Sequence, residues 1–423
     1  MPDMTRRRPP RPALPIFALV ALLAASLACG ALAGTAPTDD SPAGTATAVP
    51  TQAAGDTAGP LEATSAGTPG AEATAAPTDA PTEAPTDAAT GTPEPAPDAP
   101  ARFLVIQNSK FGYIDETGAL VIPAQFDMAG DFYEGRAVIF QGGLFGYIDS
   151  DGSVVVEPQY ELGADFHEGV AWVMTGGKAG YIDAGGAMVI EPQFDDAYDF
   201  TEGLAAVRVG SLYGYIDHSG AFVIEPRFAF GNAFSEGLAY VTPTYEGGGL
   251  GGFIDPSGQL VIPAQFGHAG PFTEGLALAT FGNPAGDTKY GYINPAGEFV
   301  IEVQFDQANI FSEGLAAVTL RDADGIPRYG YINPAGEFVI EPQFFKAGEF
   351  SEGLVAVVIG DLETRIGGVG FVDQTGTVVI APTFVDAFGS QPPQFRNGLA
   401  MVKMDGGYAY INHAGEVVWG PTQ

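Results

Sequence analysis

A four-residue motif recurs along most of this chain at nearly constant spacing. Gly-Tyr-Ile-Asp, or a close variant, starts at Gly112, Gly146, Gly180, Gly214, Gly252, Gly291, Gly330, Gly370 and Ala409. Successive copies are 34, 34, 34, 38, 39, 39, 40 and 39 residues apart. A fixed period of this length means that each repeat is one supersecondary unit. The sequence therefore predicts nine similar units packed on one another.

The unit that begins at Gly203 predicts three strands followed by a connector. Apolar and β-branched residues define the strands, and the tight turn between the last two contains an Asp and a Gly. The predicted strands are 204–209, 213–217 and 222–224, with Pro226 ending the third. The missing side chain at Gly214 predicts that another backbone or ring approaches it closely, and the connector phenylalanine, Phe234, is expected to pack on the sheet.

These motifs together resemble a known bacterial family. The order aromatic-Gly-Tyr-Ile-Asp, then Val-Ile-x-Pro-x-Phe, then Phe-x-Glu-Gly-Leu-Ala resembles the WG-repeat family over nearly all of 102–423. The family's tryptophan before the glycine is replaced here by Phe111, Phe145, Ala179, Tyr213, Gly251, Tyr290, Tyr329 and Val369. The resemblance implies a surface or interaction role, and it provides no catalytic residues to transfer.

Nine three-stranded units can form an open superhelical array or close into a β-propeller. The first unit begins with a first strand, 103–108, and the last ends with a third strand, 416–419. No segment is left over to complete a shared sheet, and nine exceeds the usual four to eight blades. We therefore expect an all-β repeat protein in an open, solenoid-like array. The closed propeller, with the connector as a fourth strand, is the alternative.

The first 28 residues are typical of a secretory signal peptide. Four arginines precede an apolar run, 13–28, which would rise about 24 Å as a helix, short of a bilayer core of about 30 Å. The segment 26–30, Ser-Leu-Ala-Cys-Gly, resembles a bacterial lipobox. This resemblance implies lipidation of Cys29 and a membrane anchor at the cell surface or envelope. The alternative is cleavage after 31–33, Ala-Leu-Ala, and secretion.

Composition separates a tether, 29–101, from the repeat domain, 102–423. From residue 31 onward the tether is rich in Thr, Ala and Pro, contains ten acids and has no aromatic residue, so we expect it to be disordered. The repeat domain holds 40 acids and 13 bases within a chain of net charge −34. Such an acidic surface argues against a nucleic-acid partner, because phosphate binding needs clustered Lys and Arg. Cys29 is the only cysteine, so the repeats contain no disulfide.

No catalytic constellation emerges from the repeats. The four histidines, His167, His218, His268 and His413, occupy three different repeat positions, and a nucleophile–base pair cannot be assembled from them. We therefore expect no enzyme activity and no cofactor, and we interpret these histidines as surface residues, mostly in turns.

Two sets of acids recur, one at the hairpin turn and one before the glycine that opens each unit. The simpler interpretation is that each carboxylate caps amides of its own turn. The alternative is calcium binding, for which the weak candidates are Asp149, Asp151, Asp322 and Asp324.

These observations predict a surface-displayed, non-catalytic scaffold that binds a protein or glycan at the cell envelope. One rival is a structural spacer without a specific ligand. Another, less favoured, is a carbohydrate-active enzyme, because glycoside hydrolysis needs only two carboxylates. Departures from the repeat are the expected sites of specificity. The longest are the inserts 245–251, 281–289, 321–328, 360–369 and 389–394.

Overall fold

A computed structural model describes residues 100–243, 249–281, 289–360, 367–385 and 392–421. Over these ranges the chain forms strands and turns, and it contains no helix that could cross a membrane. The predicted signal peptide, Cys29 and almost all of the tether lie outside the described residues. So do parts of four of the five inserts.

The described residues form nine units of antiparallel strands. Those of the first four units are β1 (Phe103–Gln107), β2 (Lys110–Ile114), β3 (Leu120–Phe126), β4 (Met128–Tyr133), β5 (Arg136–Gln141), β6 (Leu144–Asp149), β7 (Val154–Tyr160), β8 (Leu162–Gly163), β9 (Val170–Thr175), β10 (Lys178–Asp183), β11 (Met188–Phe194), β12 (Asp196–Ala197), β13 (Ala205–Val209), β14 (Leu212–Ile216) and β15 (Phe222–Phe228). Those of the fifth to seventh units are β16 (Phe230–Gly231), β17 (Ala239–Thr242), β18 (Gly251–Ile254), β19 (Leu260–Ala269), β20 (Ala277–Phe281), β21 (Tyr290–Ile293), β22 (Phe299–Phe305), β23 (Ala316–Arg321), β24 (Pro327–Ile332) and β25 (Phe338–Phe344). The last two units contain β26 (Lys346–Ala347), β27 (Leu354–Gly360), β28 (Gly367–Asp373), β29 (Val378–Phe384), β30 (Phe395–Arg396), β31 (Leu399–Met404), β32 (Gly407–Asn412) and β33 (Val417–Trp419).

A complete unit has four strands, because the connector supplies a short one at the edge of the sheet. In the fourth unit the order is β12-β13-β14-β15, and only Asp196 and Ala197 of the connector pair with β13. The fifth and sixth units share a seven-stranded sheet, since β19 is a third strand that continues as a connector strand. The first unit has three strands, and the seventh has a single bridge in place of its connector strand.

The third strand runs further than expected. β15 continues through Pro226 to Phe228, so the prediction that this proline ends the strand is wrong. Proline is tolerated because β15 lies at the sheet edge, where no partner requires its missing N–H. A register shift between β14 and β15 brings this backbone onto Gly214. A Cβ there would lie 2.6 Å from the Ile224 carbonyl oxygen, which confirms the predicted close approach.

The core lies between neighbouring units rather than inside each sheet. In six motifs the tyrosine packs against the connector phenylalanine of the next unit, and the ring centroids of Tyr215 and Phe234 are 5.0 Å apart. The Tyr215 hydroxyl also donates to the Asn232 carbonyl at 2.8 Å. Six of the motifs make this hydrogen bond, with donors Tyr113, Tyr147, Tyr181, Tyr215, Tyr292 and Tyr331. The recurring aromatic residues are therefore buried framework.

The first and ninth units are also in contact. The Tyr410 hydroxyl donates to the Leu104 carbonyl at 2.9 Å, and its ring lies 5.5 Å from that of Phe103. These side chains belong to a hydrophobic cluster between the two units, and the other eight interfaces each have a cluster of their own. Nine units with nine interfaces form a ring, whereas an open array would have eight.

The predicted all-β repeat array of antiparallel units is confirmed. The array also has contacts between its first and ninth units, as the closed alternative predicted. The physical reason is Phe103, which occupies a position that holds Ala in seven units and Val355 in the eighth. Its larger ring contacts Tyr410 where the other units use a connector phenylalanine. Closure therefore needs no shared sheet.

Candidate functional site

The recurring glutamates link neighbouring units. In the pair Glu202-Gly203 both residues have positive φ, 55° and 83°, as a two-residue type I′ hairpin turn requires. Each glutamate then reaches the equivalent turn of the next unit, as Glu202 accepts from the Gly237 amide at 2.9 Å. All seven do so: Glu134, Glu168, Glu202, Glu236, Glu274, Glu313 and Glu352. The prediction that these acids cap their own turns is wrong.

This linkage explains why glutamate stands in a backbone conformation that disfavours it. A residue other than glycine with positive φ costs about 1–3 kcal/mol, and asparagine tolerates it best. The ninth unit has Asn397-Gly398, the preferred pair for this turn. At the equivalent positions the first unit has Pro100-Ala101 in place of Glu-Gly, and Pro100 has no N–H to donate. Glutamate is therefore present only where its carboxylate has a neighbour to bind.

We expect Glu236→Asn to lower the free energy of unfolding by about 1 kcal/mol, as the lost inter-unit hydrogen bond outweighs the more favourable turn residue. Urea denaturation of the full chain measures this value. The matched control is Asn397→Glu, which adds turn strain with no amide pair to bind and should also destabilise. A stabilised Glu236→Asn variant would contradict the linking role.

The hairpin acids behave as predicted. Asp217 Oδ1 accepts the amides of Ser219 at 2.9 Å and Ala221 at 3.2 Å. The bonds from Ser219, led by the one from its hydroxyl, hold the pKa of Asp217 below its usual range. Asp149 and Asp322 make the same amide contacts in their own turns. Asp151 and Asp324 donate the first amide of each pair, and no group of three or more potential metal ligands occurs among the described residues.

The histidines have more defined places than expected. His218 stacks on Phe200 and His413 on Phe395, with centroids 4.1 and 4.2 Å apart. Each also lies near a linking glutamate, Glu168 or Glu352 respectively. These two histidines therefore lie beside the carboxylates that bind the turns at Gly203 and Gly398. His268 lies exposed on β19, and partial desolvation lowers its pKa.

Three further aspartates, Asp131, Asp165 and Asp199, form a set that the sequence interpretation missed. Each directly precedes the connector phenylalanine in the second, third or fourth unit, and we call them the Asp column. The corresponding residues in the later units are Ala233, Pro271, Ile310, Glu349 and Gln394. The signal available in the sequence was the dipeptide Asp-Phe in three consecutive units.

Two members of the Asp column, Asp165 and Asp199, carry their charge in partly buried positions. Burial, then the carboxylates of Asp199 and Asp131, raise the pKa of Asp165 to about 7, with Arg396 opposing. Burial also raises the pKa of Asp199, while His167 and Trp172 act against the shift. Perturbed carboxyl groups of this kind are concentrated at functional sites.

Polar neighbours of the Asp column come from two further positions. His167 Nε2 lies 3.7 Å from Asp199 Oδ2, and its ring centroid is 5.5 Å from that of Tyr133. His167 Nε2 and Asp199 Oδ1 are both buried and lack a hydrogen-bond partner among the described residues. Asp131, in contrast, is half-exposed and receives Arg396 Nη1 at 3.0 Å. The arrangement can hold a cationic group, and Asp165 can exchange a proton near neutral pH.

Of the predicted inserts, the described one is 321–328. It forms the hairpin end of β23 and β24, where Arg328 is 5% exposed and lies 4.0 Å above the Phe345 ring. This insert packs onto the next unit. Whether the inserts determine specificity stays a prediction.

The sequence was compared with known proteins. The model of the WG containing repeat matches residues 111–145, 145–178, 180–213, 213–242, 252–283, 290–322, 329–362 and 370–408, which is more than half of the chain. No match was found among curated proteins.

Several solved structures share limited similarity at 12% identity. One is dihydro-heme d1 dehydrogenase NirN in complex with DHE, with a TM-score of 0.40 over 67% of this chain and 73% of that one. Another is the extracellular domain of a putative hybrid two-component system, BT3049, from B. thetaiotaomicron, with a TM-score of 0.23 over 75% of this chain and 49% of that one. At such TM-scores the similarities carry no conclusion about function.

Proposed function

The chain belongs to the WG-containing repeat family, and we propose that it is an exported, non-catalytic scaffold that binds a protein or glycan at the cell envelope. The observation that supports this proposal is that the side chains that join the units differ from those that depart from the repeat. Recurring tyrosines and glutamates hold the units together, whereas the Asp column departs from the repeat in three consecutive units. A partly buried carboxyl with other carboxylates nearby disfavours folding, so the Asp column supports a role in ligand binding rather than in the framework.

The proposed binding can be tested with the full chain on arrays of glycans and of envelope proteins. We expect the unsubstituted chain to bind a ligand on one of the arrays. The Asp165→Asn variant should bind that ligand about tenfold or more weakly, the loss typical of a removed charged contact. Asp217→Asn is the control, since Asn294, Asn333 and Asn412 already occupy its position in other units. Absence of any ligand would favour the structural spacer.

A carbohydrate-active enzyme is the second candidate. The observation in its favour is the raised pKa of Asp165 beside other carboxyl groups, a property of general acids in glycosidases. The glycan array separates the two functions, because a binder leaves the glycans intact and an enzyme releases shorter products. Loss of released product in Asp165→Asn would establish the enzyme.

We further propose that Cys29 is lipidated and anchors the chain to a membrane. The support is the lipobox-like segment at 26–30 together with the single cysteine. We expect Cys29→Ser to release the protein from the membrane fraction and to abolish incorporation of a labelled fatty acid. Recovery of a soluble mature form that begins at Gly34 would contradict the anchor.

A further inference from the structure

We infer that the interface between the ninth and first units, which we call the seam, is a latch at which the ring opens before it unfolds. Phe103, Leu104, Tyr410 and Trp419 define the seam. The chain itself crosses each of the other eight interfaces through a connector. Among the described residues only noncovalent contacts join the two units at the seam, because β1 in the first unit and β33 in the ninth are not consecutive strands.

The seam lacks contacts that recur at the other interfaces. Among the described residues its hydrophobic cluster has five buried members, against seven to twelve in the others. The linking glutamate is replaced by Asn397. The first unit also has no connector strand among its described residues, so β1 lacks the pairing that such a strand gives the first strand of other units.

The contacts that replace them hold the seam weakly. Leu104 corresponds to residues such as Ala356, whose carbonyl accepts the Gly348 amide of the connector. At the seam the Leu104 carbonyl accepts the Tyr410 hydroxyl instead. Arg396 reaches past the first unit to Asp131, but both side chains are 48% exposed, so this ion pair contributes little. Local opening begins where buried contacts are fewest.

The two tryptophans provide reporters for this opening. Trp419 lies at the seam, 6.3 Å from Tyr410, and Trp172 is buried in the third unit. Trp172→Phe leaves only the seam reporter, and Trp419→Phe leaves only the distant one. In urea titrations of the two full-length variants, we expect Trp419 fluorescence to change at lower urea than both Trp172 fluorescence and the circular dichroism of the sheets.

Hydrogen exchange on the unsubstituted chain gives a second test that needs no variant. We expect amides of β1 and β32 to exchange about tenfold or more faster than those of β13 and β14. Tyr410→Phe should widen this difference, whereas Tyr215→Phe, at an interface that the chain crosses, should not. Coincident transitions of both tryptophans, or equal protection of the four strands, would overturn the latch.

Discussion

Gly214→Ala is expected to lower the free energy of unfolding by about 3 kcal/mol, because a methyl group there must displace backbone. The new Cβ would lie 2.6 Å from the Ile224 carbonyl oxygen and 2.7 Å from the Pro226 nitrogen. These atoms cannot rotate away as a side chain can. The third strand must therefore separate from β14, which also disturbs the core facing the next unit. Urea denaturation of the full chain measures the loss.

A second glycine variant controls for the general effect of adding a methyl group. Gly185→Ala meets only the Asp183 side chain, at 3.3 Å, and corresponds to Thr117 and Ser219 in other units. It should change stability by less than about 0.5 kcal/mol. Equal losses for Gly214→Ala and Gly185→Ala would contradict the close approach.

Asp165→Asn is expected to stabilise the chain at pH 8 by about 1–3 kcal/mol, with the full effect of the pKa shift reduced for residual solvent exposure. The pKa of Asp165 is raised from 3.8 to about 7 in the folded chain. At a pH between these two pKa values, Asp165 is protonated in the folded chain and ionised in the unfolded chain. The destabilisation by this carboxyl therefore grows as the pH rises from about 4 to 7 and is complete above that window.

The measurement is urea denaturation of the full chain at pH 4 and at pH 8. Asp165→Asn should be more stable than the unsubstituted chain at pH 8 and nearly equal to it at pH 4. Asp217→Asn serves as the control, because its pKa is shifted in the opposite direction. A variant that is destabilised equally at both pH values would show that Asp165 supports the framework.

Local patterns in the sequence were sufficient to predict the framework. The repeat period predicts the units, and the apolar and β-branched segments predict the strands. An Asp or Asn three residues before a Gly predicts the hairpin turns. The close approach at Gly214 was also predictable, since a glycine inside a strand needs a packing reason. The connector strand was only an alternative, because β12 has two residues and no alternating pattern.

Contacts between units were harder to predict. Glu202 and its turn have the same sequence whether the carboxylate caps its own amides or binds Gly237, 35 residues away. Asn397, which replaces the glutamate in the ninth unit, was the available clue. The Asp column consists of three acids among 40, and the environment of Asp165 depends on side chains from other units. Ring closure depended on Phe103 standing where other units have Ala or Val.

A cross-link between Asp131 and Arg396 tests ring closure most directly. The two residues are 265 positions apart in sequence, yet their side chains meet at 3.0 Å. In a Cys29→Ser background, Asp131→Cys with Arg396→Cys places the two introduced thiols as the only ones in the chain. The control pairs Asp131→Cys with Ser312→Cys, in a turn several units away. Dilute full-length protein is treated with a short bismaleimide and mapped by mass spectrometry. A closed ring predicts an intramolecular cross-link for the first pair and not for the control, whereas absence of that cross-link in folded protein would contradict closure.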